Sequence, residues 1–190
     1  MSPKNFARLS ALIQDLSGIK IPQTKQTMLE GRLRRRVRAT GLEDLDAYCE
    51  AVFETGVASS ETEFLLNAVT TNKTDFFREP KHFEFMESTA LPAIKAAGIR
   101  RLRAWSAGCS TGAEAYTMAM VFDDFATRHG GPEYGILATD LDSDVLETAR
   151  RGIYPRALLD PTPAALRRQY VMEPVDRGSG DVRIVPALRS

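Results

Sequence analysis

The stretch "RLRAWSAGCSTGAEAYTMA", residues 101–119, decides the fold. Its first seven residues predict a short strand that ends in small residues, and the apolar spacing of residues 112–126 predicts an amphipathic helix. Gly108 and Gly112 lie between the two, where the backbone can approach a ligand closely and the N–H groups that begin a helix are exposed. Two glycines are explained equally well by a tight turn that packs the helix on the strand. The three-glycine spacing typical of dinucleotide sites is absent.

The same alternation continues after this helix. "YGILATD", residues 134–140, predicts a buried strand, and "SDVLETARRG", residues 143–152, predicts a helix that Gly152 ends. Strands that alternate with helices indicate an α/β fold with a parallel sheet and right-handed crossovers. Asp140 ends the second strand, a position from which a carboxylate can accept hydrogen bonds from the ribose hydroxyls of an adenosine cofactor.

Glu114, in the first turn of the predicted helix, bears on which cofactor fits. The pyrophosphate of a dinucleotide is dianionic, and a carboxylate at this position would repel it. S-adenosylmethionine instead carries a sulfonium and an ammonium cation, which Glu114 would attract. Glu114 would also interact favourably with the helix dipole, worth about 0.3 to 1 kcal/mol, and both interpretations can hold together.

The first 70 residues follow a different pattern. Their apolar residues recur at helical spacing, which predicts an all-helical half; these residues are Phe6, Leu9, Leu12, Ile13 and Leu16, then Met28, Leu29, Leu33 and Val37, then Leu45, Tyr48, Val52 and Phe53. Gly18 and Gly41 are predicted to end two of the helices, because glycine readily adopts the left-handed conformation of a helix C-terminus.

The segment "NKTDFFR", residues 72–78, joins the two halves and has two interpretations. In the first, Asn72 caps a helix whose third residue is Asp75, while Phe76, Phe77 and Phe83 pack between the halves. In the second, the polar residues of the segment close over a ligand. The residues alone favour the first.

Together, "NKTDFFR", "GCSTGAEAYT" and "ATDLDSDVLETARRGIY" resemble the motifs of the chemotaxis receptor methyltransferase family, CheR, over essentially the entire chain. The resemblance implies a small all-helical N-terminal domain, residues 1–75, that faces the receptor. It also implies a Rossmann-like class I methyltransferase domain, residues 76–190, that binds S-adenosylmethionine. The activity implied is transfer of a methyl group from S-adenosylmethionine to glutamate side chains of chemoreceptors. A non-catalytic module that binds receptor helices or senses the cofactor is the alternative.

The resemblance also implies the residues of the cofactor site and reverses the preference at the junction. The positions that match cofactor contacts are Asn72, Thr74, Arg78, Gly108, Glu114 and Asp140, with Asp140 on the ribose and Glu114 near the methionine portion. Arg78 is further implied in catalysis, where it would orient either the substrate carboxylate or the carboxylate of the cofactor. A glutamate, with a reference pKa of about 4.3, is ionised at neutral pH, so the reaction requires alignment rather than a general base.

The chain departs from the family pattern at two places. Ala113 and Ala115 stand where the family usually has Glu and Pro, and we expect cofactor binding to survive both changes. After a flexible turn predicted at residues 176–181 and a strand at 182–185, the sequence stops before the family's downstream Asn-Leu segment and later strands. We therefore expect a methyltransferase domain that is incomplete at its C-terminal end. The same departure puts in question the small β-subdomain with which some members hold a receptor tail.

The stretch "MLEGRLRRRVRATG", residues 28–41, predicts a helix with a buried seam of Leu29, Leu33 and Val37. Five arginines make its exposed face strongly positive: Arg32, Arg34, Arg35, Arg36 and Arg38. A solvated helix face is the usual explanation, but such a face would also suit nucleic acid or the acidic cytoplasmic helical domain of a chemoreceptor. The resemblance favours the receptor, and the lack of aromatic residues among the arginines argues against nucleic acid.

Composition sets the broad limits. The 190 residues carry a formal net charge of zero, and the two cysteines, Cys49 and Cys109, have no metal-type spacing around them. No run approaches the roughly 18 apolar residues of a membrane span. We expect a cytoplasmic protein with reduced cysteines, no metal and no membrane insertion.

Overall fold

The computed structural model describes residues 1–54, 58–173 and 180–189. The chain divides into a helical unit, Met1–Thr71 with Leu141–Ser143, and an α/β unit, Asn72–Asp140 with Asp144–Ser190. Most of the turn predicted at residues 176–181 lies outside the described residues. Among the described residues, no helix combines the length and the apolar character needed to cross a membrane.

The described residues of the helical unit form four α-helices, and the three predicted groups of apolar residues lie on the first three of them. The helices are α1 (Pro3–Ser17), α2 (Gln26–Thr40), α3 (Leu45–Glu54) and α4 (Ala58–Val69). Gly18 and Gly41 end α1 and α2 with φ angles of 74° and 71°, which confirms both predicted helix ends. All four helices contribute to one buried core, whose largest side chains include Leu9, Ile13, Leu29, Leu33, Tyr48 and Leu65.

The α/β unit is built around two parallel strands, β1 (Arg101–Ala107) and β2 (Glu133–Thr139), which pair in register from Arg101 with Glu133 to Ala107 with Thr139. Helix α7 (Ala113–His129) connects them, and Val121, Phe122 and Phe125 pack on one face of the pair. This strand, helix and parallel strand are the elements that the sequence predicts, and β1 has the predicted bounds.

The prediction that the second strand is buried is wrong: no residue of β2 is buried, and Glu133, Gly135 and Leu137 are exposed. Alternate residues of a strand face opposite sides of the sheet, and α7 covers only one side. On the other side, Trp105 of β1 is 65% exposed and Leu137 of β2 is 61% exposed. The described residues therefore leave one face of the parallel pair in contact with solvent.

The remaining elements of the α/β unit are short. The helices are α5 (Pro80–Phe85), α6 (Leu91–Ala96), α8 (Ser143–Arg151) and α9 (Ala164–Tyr170). The strands are β3 (Ile153–Pro155), β4 (Val171–Met172) and β5 (Asp181–Ile184), which form an antiparallel sheet in the order β3, β5, β4. The strand predicted at residues 182–185 is thus β5, and the chain does contain a small antiparallel sheet.

The junction segment does not form the helix that Asn72 was predicted to cap. Residues 70–79 are irregular, and the next helix begins at Pro80. The three phenylalanines pack inside the α/β unit rather than between the halves. Phe76 is fully buried against Tyr154, and Phe77 lies edge-on to Phe83 with ring centroids 5.5 Å apart.

Candidate cofactor site

The loop after β1, residues 108–112, contains three left-handed residues in five: Gly108 (φ 75°), Ser110 (φ 51°) and Gly112 (φ 87°). The backbone N–H groups of Gly108 and Cys109 both donate to the carbonyl of Thr139, at 2.8 and 2.9 Å. These bonds fix the loop at the carboxyl ends of β1 and β2, which is where open parallel sheets bind their ligands.

Ser110 joins this loop to two predicted site residues. Its N–H donates to Oδ2 of Asp140 at 2.7 Å, and its hydroxyl donates to the backbone carbonyl of Asn72 at 2.9 Å. A left-handed conformation costs a non-glycine residue roughly 1 to 2 kcal/mol. The two hydrogen bonds offset this cost, since a bond to a charged acceptor alone contributes about 1.5 to 3 kcal/mol. Asp140 and the junction segment therefore hold the strained loop in this conformation.

Glu114 lies in the first turn of α7, beside the end of β1. Its Oε1 accepts a hydrogen bond of 2.6 Å from the hydroxyl of Ser106, which is fully buried, whereas Glu114 itself is exposed. Gly112 precedes the helix and provides no capping side chain. The Ser106 hydroxyl thus orients the Glu114 carboxylate, which remains accessible to a ligand and lies next to the positive end of the helix dipole.

Thr74 and Arg78 lie on the same junction segment as Asn72. Thr74 is half-buried, and the exposed Arg78 donates from its guanidinium to the carbonyl of Lys73 at 3.0 Å. This hydrogen bond ties Arg78 to its own segment rather than to Glu114 or Asp140. Of the six predicted residues, the hydrogen bonds therefore draw together Asn72, Gly108 and Asp140, with Glu114 at the adjoining helix start. The cofactor-binding roles of all six residues stay predictions.

Two residues that shape the site were missed by the sequence reasoning, Ser106 and Ser110. Ser110 stands between the two glycines of the quoted loop, so its place in the motif was a usable signal. Ser106 is an ordinary small residue at the end of a strand, and nothing in the sequence marks it. Cys109 beside them is not a reactive group, because burial, aided by the Asp140 carboxylate, raises the pKa of its thiol.

The arrangement fits S-adenosylmethionine. A β-carbon at position 108 would meet no atom within 4 Å, so there is open space against the loop backbone. Two carboxylates flank this loop along the chain and at its anchor: Glu114 lies in the first turn of α7, and Asp140 directly follows β2. Glu114 can attract the sulfonium and ammonium groups, and Asp140 can accept hydrogen bonds from a ribose diol. Within the described ranges, no group of three His, Cys, Asp or Glu side chains is arranged to hold a metal ion.

The helical unit uses two of the five α2 arginines internally, which corrects the predicted five-residue surface. Arg36 forms an ion pair with the buried Glu61, with bonds of 2.5 and 2.8 Å, and stacks over Phe64 at 3.6 Å. Arg32 donates to the carbonyls of Val69 and Thr70, at 2.6 and 2.9 Å, at the C-terminal end of α4.

Three arginines of α2 remain exposed, and we call them the α2 basic surface: Arg34, Arg35 and Arg38. They lie outside the buried seam of the helix. The structure confirms that seam, since Leu29, Leu33 and Val37 are the buried residues of α2.

Comparisons with known proteins agree with this architecture. Residues 72–190 match the family model described as "CheR methyltransferase, SAM binding domain", and residues 4–70 match "CheR methyltransferase, all-alpha domain". The family predicted from the motifs and its two-part fold are thereby confirmed. The predicted cofactor, S-adenosylmethionine, is also the one that the matched domain is described as binding.

Three curated relatives illustrate the similarity. Chemotaxis protein methyltransferase 2 of Pseudomonas aeruginosa is 33% identical over 186 residues, which are 98% of this chain and 64% of the relative. The chemotaxis protein methyltransferase of Escherichia coli is 38% identical over 181 residues, 95% of this chain and 59% of the relative. That of Salmonella typhimurium is 36% identical over 187 residues, 97% of this chain and 62% of the relative. The chain thus spans between 59% and 64% of the length of these relatives.

Proposed function

Because the chain belongs to the CheR methyltransferase family, we propose that the protein transfers a methyl group from S-adenosylmethionine to glutamate side chains of chemoreceptors. The observation that carries this proposal is the hydrogen-bonded loop 108–112, with Asp140 attached to it and Glu114 at the helix that follows. Two oriented carboxylates beside an open backbone loop suit a cofactor with a ribose diol at one end and cationic groups at the other.

In this proposal each carboxylate has one part of the cofactor to hold. Asp140 accepts hydrogen bonds from the ribose hydroxyls while the Ser110 N–H keeps its carboxylate in place. Glu114, oriented by the Ser106 hydroxyl, faces the cationic methionine portion. The junction segment would contribute Asn72, Thr74 and Arg78 to the same site. This part of the proposal is supported by the hydrogen bond that joins the Asn72 carbonyl to the loop through Ser110.

The chemistry requires little from the protein beyond alignment. When bound, the cofactor supplies a methyl group activated by its positively charged sulfur. An oxygen of the substrate carboxylate forms the new C–O bond as the S–CH₃ bond breaks. The electron pair of the S–CH₃ bond stays on sulfur, which leaves S-adenosylhomocysteine. The substrate glutamate is ionised at neutral pH, so no side chain has to remove a proton. Holding nucleophile and methyl group in line contributes on the order of 7 to 11 kcal/mol in favourable systems, and Arg78 is the proposed residue that orients a carboxylate for this step.

The proposed partner is the acidic helical cytoplasmic domain of a chemoreceptor, which the α2 basic surface would contact. Arg34, Arg35 and Arg38 are exposed on one helix, whereas Arg32 and Arg36 are engaged within the unit. Charge complementarity of this kind raises association rates and is weakened by salt. A cytoplasmic location is part of the same proposal, supported by two cysteines that are both free and buried.

Calorimetry with S-adenosylhomocysteine on the full-length protein tests the site. Asp140→Asn keeps an oxygen that can accept from the Ser110 N–H, so the loop should persist, but it removes the charge that the ribose hydroxyls would meet. We expect the dissociation constant to rise about 5-fold to 150-fold, equivalent to roughly 1 to 3 kcal/mol. Asp144→Asn is the matched control, because it removes an exposed carboxylate four residues away and should leave the affinity unchanged.

The outcomes separate the parts of the proposal. Unaltered affinity in both Asp140→Asn and Glu114→Gln would remove these residues from the site. Failure of the unchanged protein to bind S-adenosylhomocysteine would overturn the proposed function. Cofactor binding without methyl transfer to any receptor fragment would instead indicate the non-catalytic module.

A further inference from the structure

Tyr154 belongs to the small antiparallel sheet, yet its side chain lies behind the loop 108–112. Its backbone is in β3, paired with Val182 of β5, and the residue is 1% exposed. Its hydroxyl donates a hydrogen bond of 2.6 Å to the carbonyl of Thr111, within the loop. This bond connects the small antiparallel sheet to the loop.

The ring of Tyr154 also contacts the junction segment. It lies edge-on to Phe76, with ring centroids 5.1 Å apart and an interplanar angle of 84°. Phe76 is fully buried four residues after Asn72, whose carbonyl accepts the bond from Ser110. One tyrosine therefore contacts two of the segments that carry predicted cofactor residues, the loop 108–112 and the junction segment.

The backbone at Gly112 is closely packed against neighbouring side chains. A β-carbon at this position would lie 2.8 Å from Cβ of Ala149 and 3.2 Å from the hydroxyl of Tyr154. The backbone at Gly112 therefore packs against Ala149 of α8 and Tyr154 with no room for a side chain, which limits movement of the loop in that direction. Burial raises the pKa of the Tyr154 phenol, so the hydroxyl remains a neutral donor at physiological pH.

We propose that Tyr154 is a positioning residue of the cofactor site, which holds the loop 108–112 and the segment around Phe76 in the conformation that binds S-adenosylmethionine. The inference rests on the proposed function. Without the hydroxyl, the Thr111 carbonyl loses its donor and the strained conformation at Ser110 loses part of the support behind it. The first strand of the small antiparallel sheet would then set the geometry of the loop 108–112, in addition to contributing to the core.

Tyr154→Phe in the full-length protein tests the inference, because it keeps the ring contacts and removes only the hydroxyl. We expect the dissociation constant of S-adenosylhomocysteine and the KM for S-adenosylmethionine to rise 5-fold to 30-fold, with kcat changed less than 3-fold. Amide hydrogen exchange at positions 110–112 should become faster as the loop opens more often.

Tyr116→Phe is the matched control. Tyr116 belongs to the same aromatic cluster, and its hydroxyl donates to a backbone carbonyl at a similar distance, 2.7 Å, but that carbonyl is Ala149 in α8 rather than a loop residue. We expect Tyr116→Phe to lower the melting temperature about as much as Tyr154→Phe does, and to leave cofactor affinity and exchange at positions 110–112 unchanged. Both variants are measured at a temperature at which each remains folded.

Equal cofactor affinity in the two variants, whether both weaken or neither does, would overturn the role of Tyr154. Faster exchange at positions 110–112 in Tyr154→Phe alone, accompanied by weaker binding, supports it. If the unchanged protein binds no S-adenosylhomocysteine, the proposed function fails, but the exchange comparison still decides whether Tyr154 holds the loop.

Discussion

Replacing Arg36 with methionine should strongly destabilise the helical unit, whereas the same replacement at Arg34 should not. Both residues lie on α2, two positions apart. Arg36 is bonded twice to Glu61, which is only 6% exposed and also accepts a hydrogen bond of 3.1 Å from the hydroxyl of Tyr48. Arg34 is exposed on the α2 basic surface. The comparison therefore separates an arginine that holds the fold from one available to a partner.

The magnitude follows from what Arg36→Met leaves behind. Methionine replaces the apolar stem, but the Glu61 carboxylate stays buried with Tyr48 as its remaining donor in this network. Removing one partner of a buried ion pair costs about 3 to 5 kcal/mol. The Arg36 side chain is 24% exposed, so solvent screening places the expected cost at the lower end, about 3 kcal/mol. A unit of some 70 residues has a total stability of about 4 to 10 kcal/mol, so this loss is a large fraction of it.

Urea unfolding followed by far-UV circular dichroism measures the effect. Arg34→Met should change the free energy of unfolding by less than about 0.5 kcal/mol, as surface substitutions usually do. The double variant Arg36→Met with Glu61→Gln should be more stable than Arg36→Met alone, because the amide removes the unpaired buried charge and still accepts from Tyr48. If Arg36→Met and Arg34→Met unfold at the same urea concentration, the reasoning is wrong and Arg36 belongs to the exposed surface.

Three further outcomes are expected. The Arg36 guanidinium lowers the pKa of Glu61 in the folded protein. The stability that this carboxylate contributes is therefore complete above its unfolded pKa, near 4.5, and is lost as the pH falls through the lower folded pKa. Acid unfolding monitored by circular dichroism should be less steep in Glu61→Gln. Gly112→Ala should lower the melting temperature more than Gly108→Ala, because both positions have positive φ but only position 112 would also clash with its neighbours. Replacing all three arginines of the α2 basic surface with glutamate should weaken binding to receptor fragments and reduce its salt dependence, while calorimetry shows unchanged affinity for S-adenosylhomocysteine.

The sequence predicted those elements whose signals are local. Gly18 and Gly41 end helices because each can adopt a left-handed φ, and a single residue type reveals this. The bounds of β1 were predicted because the strand ends in small residues and a glycine turn follows it directly. The helix cap at Asn72 failed for the opposite reason. Phe77 and Glu79 adopt left-handed conformations, with φ of 53° and 56°, which delay the helix to Pro80, and no pattern within the segment announces them.

The α2 arginines show a second limit. Periodicity identified the buried seam of α2 correctly, and therefore which arginines lie away from it. It could not tell which of them find partners, because the carboxylate of Glu61 lies 25 positions after Arg36 and the carbonyls that Arg32 meets lie 37 and 38 positions after it. Pairings over such separations depend on how the helices pack, so the predicted surface of five charges contained two that stabilise the fold.

The residues of the candidate site likewise fall into those that the sequence predicts and those that only the folded structure reveals. Glu114 and Asp140 were found from the sequence because a carboxylate at a helix start or a strand end has a chemical meaning of its own. The residues that orient them, Ser106 and Ser110, and the tyrosine behind the loop are ordinary types whose role arises only from the atom that each one meets. A methyl transfer that depends on alignment relies on both groups, since a ligand contact misplaced by about 1 Å can lose two orders of magnitude in rate. In this chain the groups proposed to recognise the cofactor can be read from its motifs, while the residues that orient them become visible only in the folded structure.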